Sequence, residues 1–343
     1  MTALELATDT LPVPGAPAIL GLTFRRFRGE SDFPKMITVI DGCKAVDKME
    51  RTDTVENLAR FYAHLTNCDP RQDMLFVDMG GRVVGYTRVW WMREEAGARL
   101  YTHFGFLLPE WRRKGIGRAM LHWNETHLRE IAVSHPNDVP RFFQAEASDT
   151  ETAKEALLLN EGYTPVRHGF NMVRSLAEPI VLTPLPPGLE VRPVPPQRYR
   201  TLWEADQEAF RDHWGFVPGT EADYRRWLNE PIFNPSLWQV AWDASANQIA
   251  GAVQNFVNEK ENEEYNRKRG YTEGIFVRRP WRKRGLARAL IMRSLQMFKN
   301  MGFAEAALGV DAENLSGALR LYESCGFRMV KRESLYRKPM IDA

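Results

Sequence analysis

The chain repeats itself at half its own length, and this constrains its fold more than any other feature. "LLPEWRRKGIGRAML", Leu107 to Leu121, overlays "VRRPWRKRGLARALI", Val277 to Ile291, when Gly115 is set on Gly285. Trp111 then falls on Trp281, Arg112 on Arg282, Arg113 on Lys283, Lys114 on Arg284, Gly117 on Ala287 and Arg118 on Arg288. The displacement is 170 in a chain of 343 residues. Self-similarity at a fixed period marks a duplicated structural unit. The likeness runs further: "LTFRRF" matches "LEVRPV" at 167, "GRVVGY" matches "NQIAGA" at 166, and "EGYTPV" matches "CGFRMV" at 164. Shifts that drift this little fit small insertions in loops. Between the copies lies "AEPIVLTPLPPG", Ala177 to Gly188, whose four prolines remove backbone donors and fix φ, as a linker does. The reading is a floppy leader over 1–20, a first domain over 21–176, a linker over 177–188 and a second domain over 189–343.

Each half has the same order of patterns. An alternating strand leads, followed by a helical stretch ("TVENLARFYAHL"; "RYRTLWEADQEAF"). A strand pair turns at Gly80-Gly81 or Ala246-Asn247. Then come a strand ("YTHFGFLL"; "YTEGIFV"), the basic loop and an amphipathic helix ("GRAMLHWNETHLREI"; "ARALIMRSLQMF"). A strand, a short helix and a final strand ("GFNMVRSL"; "ESLYRKPM") close the half. Such mixing predicts an α/β (α+β) architecture, with a mixed, mostly antiparallel sheet flanked by helices in each copy.

Composition narrows the function. Net charge is +2, with 46 basic against 44 acidic residues, so the chain is no wholesale nucleic-acid binder and any basic function is local. The three cysteines, Cys43, Cys68 and Cys325, lie far apart and give neither a disulfide framework nor a metal spacing, which predicts a reducing, cytoplasmic setting. No apolar run approaches the ~18 residues of a membrane span, so no membrane partner is expected. A monomer or a homodimer is expected.

The basic loop asks for an anion. A helix start offers unpaired N–H groups and the positive end of the macrodipole. Gly285 and Ala287 carry almost no side chain, so a diphosphate can approach the backbone from Arg282 through Lys283, Arg284 and Leu286 to Arg288. The first copy offers the same from Arg112 through Arg113, Lys114, Gly115, Ile116 and Gly117 to Arg118. The spacing differs from the P-loop and from the dinucleotide fingerprint, and no Ser or Thr follows a lysine to hold magnesium. The ligand is therefore a diphosphate that needs no metal.

"IFVRRPWRKRGLARAL" followed by "GVDAENLSGALRLYESCGF" resembles the signature of the GNAT superfamily of acetyl-CoA-dependent N-acyltransferases. Both halves carry the likeness, over about 22–176 and 189–339. The tandem layout and "EAFRDHWG" are similar to those of the mycothiol synthase family. The resemblance implies two tandem GNAT folds with acetyl-CoA as cofactor and no metal. It implies a splayed β-bulge at Ile275, Phe276 and Val277, with Leu107 at the matching place in the first copy, where the pantetheine arm would bond like an added strand. It places Asn314 near that arm, and gives Tyr322, of "LYESCGF", the proton for the departing thiolate.

Acyl transfer to an amine needs a neutral amine, a donor for the developing oxyanion and a proton for the thiolate. A backbone N–H near Val277 serves as donor, worth about 3 kcal/mol. A phenol of ordinary pKa near 10 lies close to a thiol near 8.5, and a positioned acid contributes about 10²–10⁴ in rate. A packed tyrosine with a satisfied hydroxyl is the plain alternative for Tyr322. Glu273 is the sole carboxylate of "YTEGIFV" and the candidate base through a water; a solvated or ion-paired glutamate is the alternative. In the resembled family that glutamate stands two residues earlier, where this chain has Tyr271. The acidic run "NEKENEEYNRKRG", Asn258 to Gly270, reads as an exposed hairpin tip. The first copy has Leu158 at the place of Tyr322 and Thr150 at the place of Asn314. Catalysis is thus expected in the second copy, with the first binding acetyl-CoA or buttressing the fold. The expected reaction is direct transfer of acetyl from acetyl-CoA to a primary amine of a small molecule. Peptide N-terminal acetylation and non-catalytic acyl-CoA binding are the alternatives.

Overall fold

The computed structural model describes residues 10–95, 97–314 and 317–341. They divide into two compact units, one of residues 10–166 with 334–341 and one of Arg167–Glu333.

The first unit runs β1 (Leu22–Arg25), α1 (Phe33–Asp47), α2 (Val55–Tyr62), the single turn α3 (Pro70–Asp73), β2 (Met74–Met79), β3 (Arg82–Arg93), β4 (Arg99–Leu107), α4 (Ile116–Val133), β5 (Arg141–Ser148) and α5 (Thr152–Asn160). β6 (Thr164–Ser175) leads into the second unit. That unit continues with β7 (Leu189–Val191), α6 (Tyr199–Phe210), α7 (Glu221–Leu228), β8 (Gln239–Asp243), β9 (Gln248–Phe256), α8 (Glu259–Glu264), β10 (Arg269–Val277), α9 (Leu286–Asn300), β11 (Glu305–Asp311) and α10 (Ala318–Ser324), and β12 (Arg328–Pro339) leads back. The strand order is β1-β2-β3-β4-β5-β12 in the first unit and β6-β11-β10-β9-β8-β7 in the second. β4 and β5 pair parallel, as do β10 and β11, while the other registered neighbours are antiparallel. The mixed, mostly antiparallel sheet flanked by helices, present twice, is the fold read from the sequence.

The duplication reaches single residues. Gly85 on β3 and Gly251 on β9 are the shared glycines of the repeat. A Cβ there would lie 2.8 Å from the Phe106 carbonyl oxygen and 2.5 Å from that of Phe276, so only glycine lets the next strand come so close. Beside each, the partner strand has a bulge, at Val77/Asp78 and at Ala241/Trp242.

Sheet faces follow the alternation of side chains. In the second unit Val253 packs with Leu290, Leu295 and Phe298 of α9, while Ala252 packs with Leu202, Ala205 and Ala209 of α6. Each fully buried Leu, Ile or Phe contributes about 1.5–3 kcal/mol. In the first unit Thr87 bonds Asn124 of α4, so Tyr86 and Arg88 face the other side, toward α1 and α2.

Four sequence readings change. The final strands are exchanged: Arg167–Ser175 of β6 pairs antiparallel with β11, and β12 is bonded to β5, with the Met340 N–H donating to the Arg141 carbonyl at 2.9 Å. The expected domain limits at 176 and 189 therefore differ from the compact units, because both copies present an equivalent sheet edge and the sequence pattern cannot say which one a strand joins. The leader is not floppy from Thr10 on; its residues 1–9 lie outside the described residues. Leu11 N–H donates to the Phe24 carbonyl, and Val13 is buried in the first core with Ala16 and Ile19 packed on it. The acidic stretch after Asn258 is a helix rather than a hairpin tip. Asn258 caps it, accepting from the Glu261 N–H, and Glu261 and Asn262 are buried. Finally, α1 and α7 were not anticipated; α7 is fixed by a capping box of Thr220 and Asp223. Residues 177–188 hold no helix or strand.

Candidate active site

In both units a strand parts from its parallel neighbour. The β10–β11 ladder ends at Tyr271 and Ala307, and the β4–β5 ladder at Thr102 and Gln144. Beyond those pairs the edges of 272–277 and 103–107 open toward a gap. In the second unit the register with β9 also slips between Glu273 and Phe276, which is a β-bulge at Gly274 and Ile275. Gly274 takes φ +53, and a Cβ there would sit 2.9 Å from Gln254 Nε2. The matching stretch of β4 pairs with β3 without a break from Leu107 to Arg99. The first unit thus has the splay but lacks the bulge. The Phe276 side chain is buried toward α6, so this residue offers the gap its backbone alone.

The gap leads to the basic loop. Gly285 has φ +83 and caps the N-terminus of the 15-residue α9; Gly115 has φ +86 and caps the 18-residue α4. Lys283 at φ +59 and Arg113 at φ +61 share the left-handed region, which residues other than glycine enter rarely. Left-handed residues in alternation turn successive N–H groups inward and form an anion-binding concavity at the positive helix end. Among the described residues, its chain neighbours aside, no atom lies within 4 Å of where a Gly285 Cβ would stand, whereas at Gly115 Pro17 lies at 3.6 Å. Leu286 and Ile116, both buried, anchor the helix starts in the cores.

The basic side chains divide their work. Arg282 donates from Nε to the Val277 carbonyl, from Nη1 to Asp212 and from Nη2 to the Ala209 carbonyl. Arg112 repeats this with the Leu107 carbonyl and a two-pronged bond to Asp47 at 2.7 and 2.6 Å. These two arginines brace the loop against the preceding strand and α1 or the end of α6. Arg288 turns to Ser324, Arg118 to Glu161, and Arg284 to the Pro187 carbonyl. Lys114 lies over Trp111. Lys283 and Arg113 are exposed at the rim. In the first unit a cleft of about 320 Å³ runs from this loop, past Leu107, Gly115, Gly117 and Arg118, down to His103.

The chemistry residues differ between the units. The Glu273 carboxyl reaches across the splay and accepts the Gly309 N–H at 2.7 Å. Burial pushes its pKa up from 4.5 to about 7, against that hydrogen bond. Among the described residues it makes no ion pair. Tyr322, buried on α10, is held above its ordinary value by burial and by the Glu273 charge. Its phenol is protonated throughout the physiological range, and it is a weaker acid than the sequence argument assumed. Asn314 sits in the turn after β11, its N–H donating to the Asp311 carbonyl. Tyr271 stacks on Phe256 at 4.7 Å and bonds Glu261 of α8, and its pKa rises to about 12 through burial and that carboxylate. In the first unit Leu158 is buried at the place of Tyr322, and Thr150 bonds Ser148. His103 stands at the place of Glu273 and lies 2.9 Å from the Tyr163 hydroxyl; burial drives its pKa down to about 3. It stays neutral at physiological pH and is a far weaker base than the Glu273 carboxylate.

Sequence reasoning missed Asp206. This carboxyl on α6 accepts from Gln254 Nε2 at 3.2 Å, beside the bulge, and burial raises its pKa to about 7. The signal available was a lone aspartate inside an apolar helical pattern. Among the described residues no group of three or more His, Cys, Asp or Glu is placed to hold a metal ion, and no helix is long and apolar enough to cross a membrane.

Comparison with known proteins agrees with this geometry. The "Acetyltransferase (GNAT) family" model matches residues 43–136 and 199–327. A mycothiol acetyltransferase of Thermobispora bispora is 31% identical over 237 residues, 67% of this chain and 73% of that one. Its counterpart from Thermobifida fusca is 26% identical over 241 residues, 66% and 71% of the two chains. A GCN5-related N-acetyltransferase from Sphaerobacter thermophilus superposes with TM-score 0.71 at 27% identity, over 95% of this chain and 98% of that one. A tandem GNAT protein from the clavulanic acid biosynthesis pathway shares the fold, with TM-score 0.66 at 15% identity over 94% and 99%. Two family matches on two copies of one fold make this chain a member of the GNAT acetyltransferase family, an acyltransferase of tandem architecture.

Proposed function

We propose that the protein transfers acetyl from acetyl-CoA to a primary amine of a small molecule, in the second unit and without a covalent enzyme intermediate. The observation that carries this is the nearness of Glu273 to Tyr322, whose pKa it raises, at a bulged splay, with the concavity of Gly285 at its mouth. Acetyl-CoA, when bound, supplies an activated acetyl thioester; the N–H groups around Gly285 would hold its diphosphate, and the open edge of 273–277 its pantetheine arm. Glu273 takes the amine proton through a water, for which a carboxyl of pKa about 7 is suited at neutral pH. As the C–N bond forms and the C–S bond breaks, Tyr322 gives its proton to the sulfur. Asp206, held by Gln254, lines the α6 face of the bulge, and its carboxyl together with that of Glu273 favours a cationic acceptor. The first unit keeps the loop and cleft while His103 and Leu158 replace the two chemistry residues, so it binds the cofactor or supports the fold.

The name shared by the relatives makes the deacetylated amine of mycothiol the first acceptor to assay, since an acetyltransferase must start from a free amine. Release of free thiol from acetyl-CoA, followed across a panel of small amines and a peptide N-terminus, tests the reading. Turnover on a small amine is expected. Turnover on the peptide alone, or none beyond hydrolysis, would replace it.

A further inference from the structure

The first unit contains a charge that the acyl-transfer reading does not use. Arg88 on β3 is 7% exposed, and its Nε and Nη1 have no hydrogen-bond partner among the described residues. Four rings surround its guanidinium: Phe61 at 5.0 Å, Tyr62 at 5.2 Å, Trp90 at 5.1 Å and Phe104 at 5.0 Å. The Tyr62 hydroxyl is likewise buried; it faces Arg88 and makes no well-aligned hydrogen bond. Ring faces attract a guanidinium, but they leave its N–H edges unbonded. Buried donors are nearly always paired, so the three in this cage ask for an acceptor from outside the chain.

The position is informative. Arg88 stands three residues after Gly85, as Gln254 stands three after Gly251. On that face the second unit carries Gln254 with the acid Asp206; the first carries a cation in an aromatic box. Phe104 both covers Arg88 and lines the cleft that leads from the basic loop. Phe61 is 40% exposed, so the cage meets solvent on that side.

We propose that the first unit binds a carboxylate carried on a flat or apolar body, with Arg88 and Tyr62 as donors and Phe61, Trp90 and Phe104 as walls. A carboxylate fits better than a phosphate. One guanidinium fork and one hydroxyl match a planar, singly charged acceptor, and the neighbouring Arg51 is already held two-pronged by Asp53 at 2.6 and 2.7 Å. The site is independent of catalysis in the second unit.

Titration calorimetry of the full chain with benzoate tests it. Saturable binding to the wild type is expected, neither displaced by acetyl-CoA nor matched by inorganic phosphate. Arg88→Met fills a similar volume without the charge and should weaken benzoate binding at least 30-fold, with acetyl-CoA affinity unchanged. Tyr62→Phe, which keeps every ring, should weaken it about tenfold or more, the loss of one hydrogen bond to a charged acceptor, and it decides the question if Arg88→Met fails to fold. No binding of benzoate, undiminished binding by the variants, displacement by acetyl-CoA, or phosphate binding as well as benzoate would each overturn the proposal.

Discussion

Glu273→Gln should make the protein more stable and less active, and the two effects should depend differently on pH. The folded carboxyl has pKa about 7 against an ordinary 4.5, so between those values the folded state holds more protons than the unfolded one. Stability contributed by the neutral acid is therefore complete below pH 4.5 and is lost as pH rises through 7. Raising the pKa from 4.5 to about 7 corresponds to about 3 kcal/mol; partial exposure of the side chain reduces this toward about 1.5 kcal/mol. Glutamine keeps an oxygen for the Gly309 N–H and never ionises. Urea denaturation from pH 4.5 to 8.5 should find variant and wild type nearly equal at the acid end. The variant should lead by about 1.5–3 kcal/mol at the alkaline end. In the wild type, kcat/KM should climb through pH 7 as the base ionises; in the variant it should drop by about 10²-fold or more. A stability gap that does not change with pH would refute the reasoning. So would a carbon-13 titration placing the Glu273 carboxyl near 4.5.

Other substitutions test the rest of the site. Tyr322→Phe should lower kcat by about 10²-fold or more and leave the KM for acetyl-CoA nearly unchanged, as steady-state kinetics would record. A fall of less than about threefold, with chemistry rate-limiting, would leave Tyr322 a packing residue. Gly285→Val puts a branched side chain into the concavity at φ +83 and should abolish turnover. Gly115→Val should spare most of it, and calorimetry with acetyl-CoA would separate lost binding from lost chemistry. Asp47→Ala leaves the Arg112 guanidinium without its two-pronged partner and should cost about 3 kcal/mol in thermal or urea unfolding.

Much of this protein is legible from residues close together in the chain. The repeated Trp-basic-Gly pattern was readable because helix starts, left-handed glycines and close strand approaches are local demands, met by particular residues at particular spacings. The same holds for the placement of Tyr322 and for its loss at Leu158. Three things needed the tertiary structure. Arg112 and Arg282 read as phosphate ligands until Asp47 and Asp212, some 65 to 70 residues earlier, are seen to hold them. The carboxyls of Glu273 and Asp206 look ordinary until helices and neighbouring strands remove their water, since a pKa is set by surroundings and not by sequence neighbours. The last strand of each half could join either copy, because duplicated sheets offer matching edges and strand patterning encodes only alternation. The sequence by itself determined two copies of one fold and that the first has Leu158 and Thr150 where the second has Tyr322 and Asn314. Only the folded chain decided which edge each final strand completes, where charge is desolvated, and which arginines are spent on bracing, because those depend on contacts between residues far apart in the sequence.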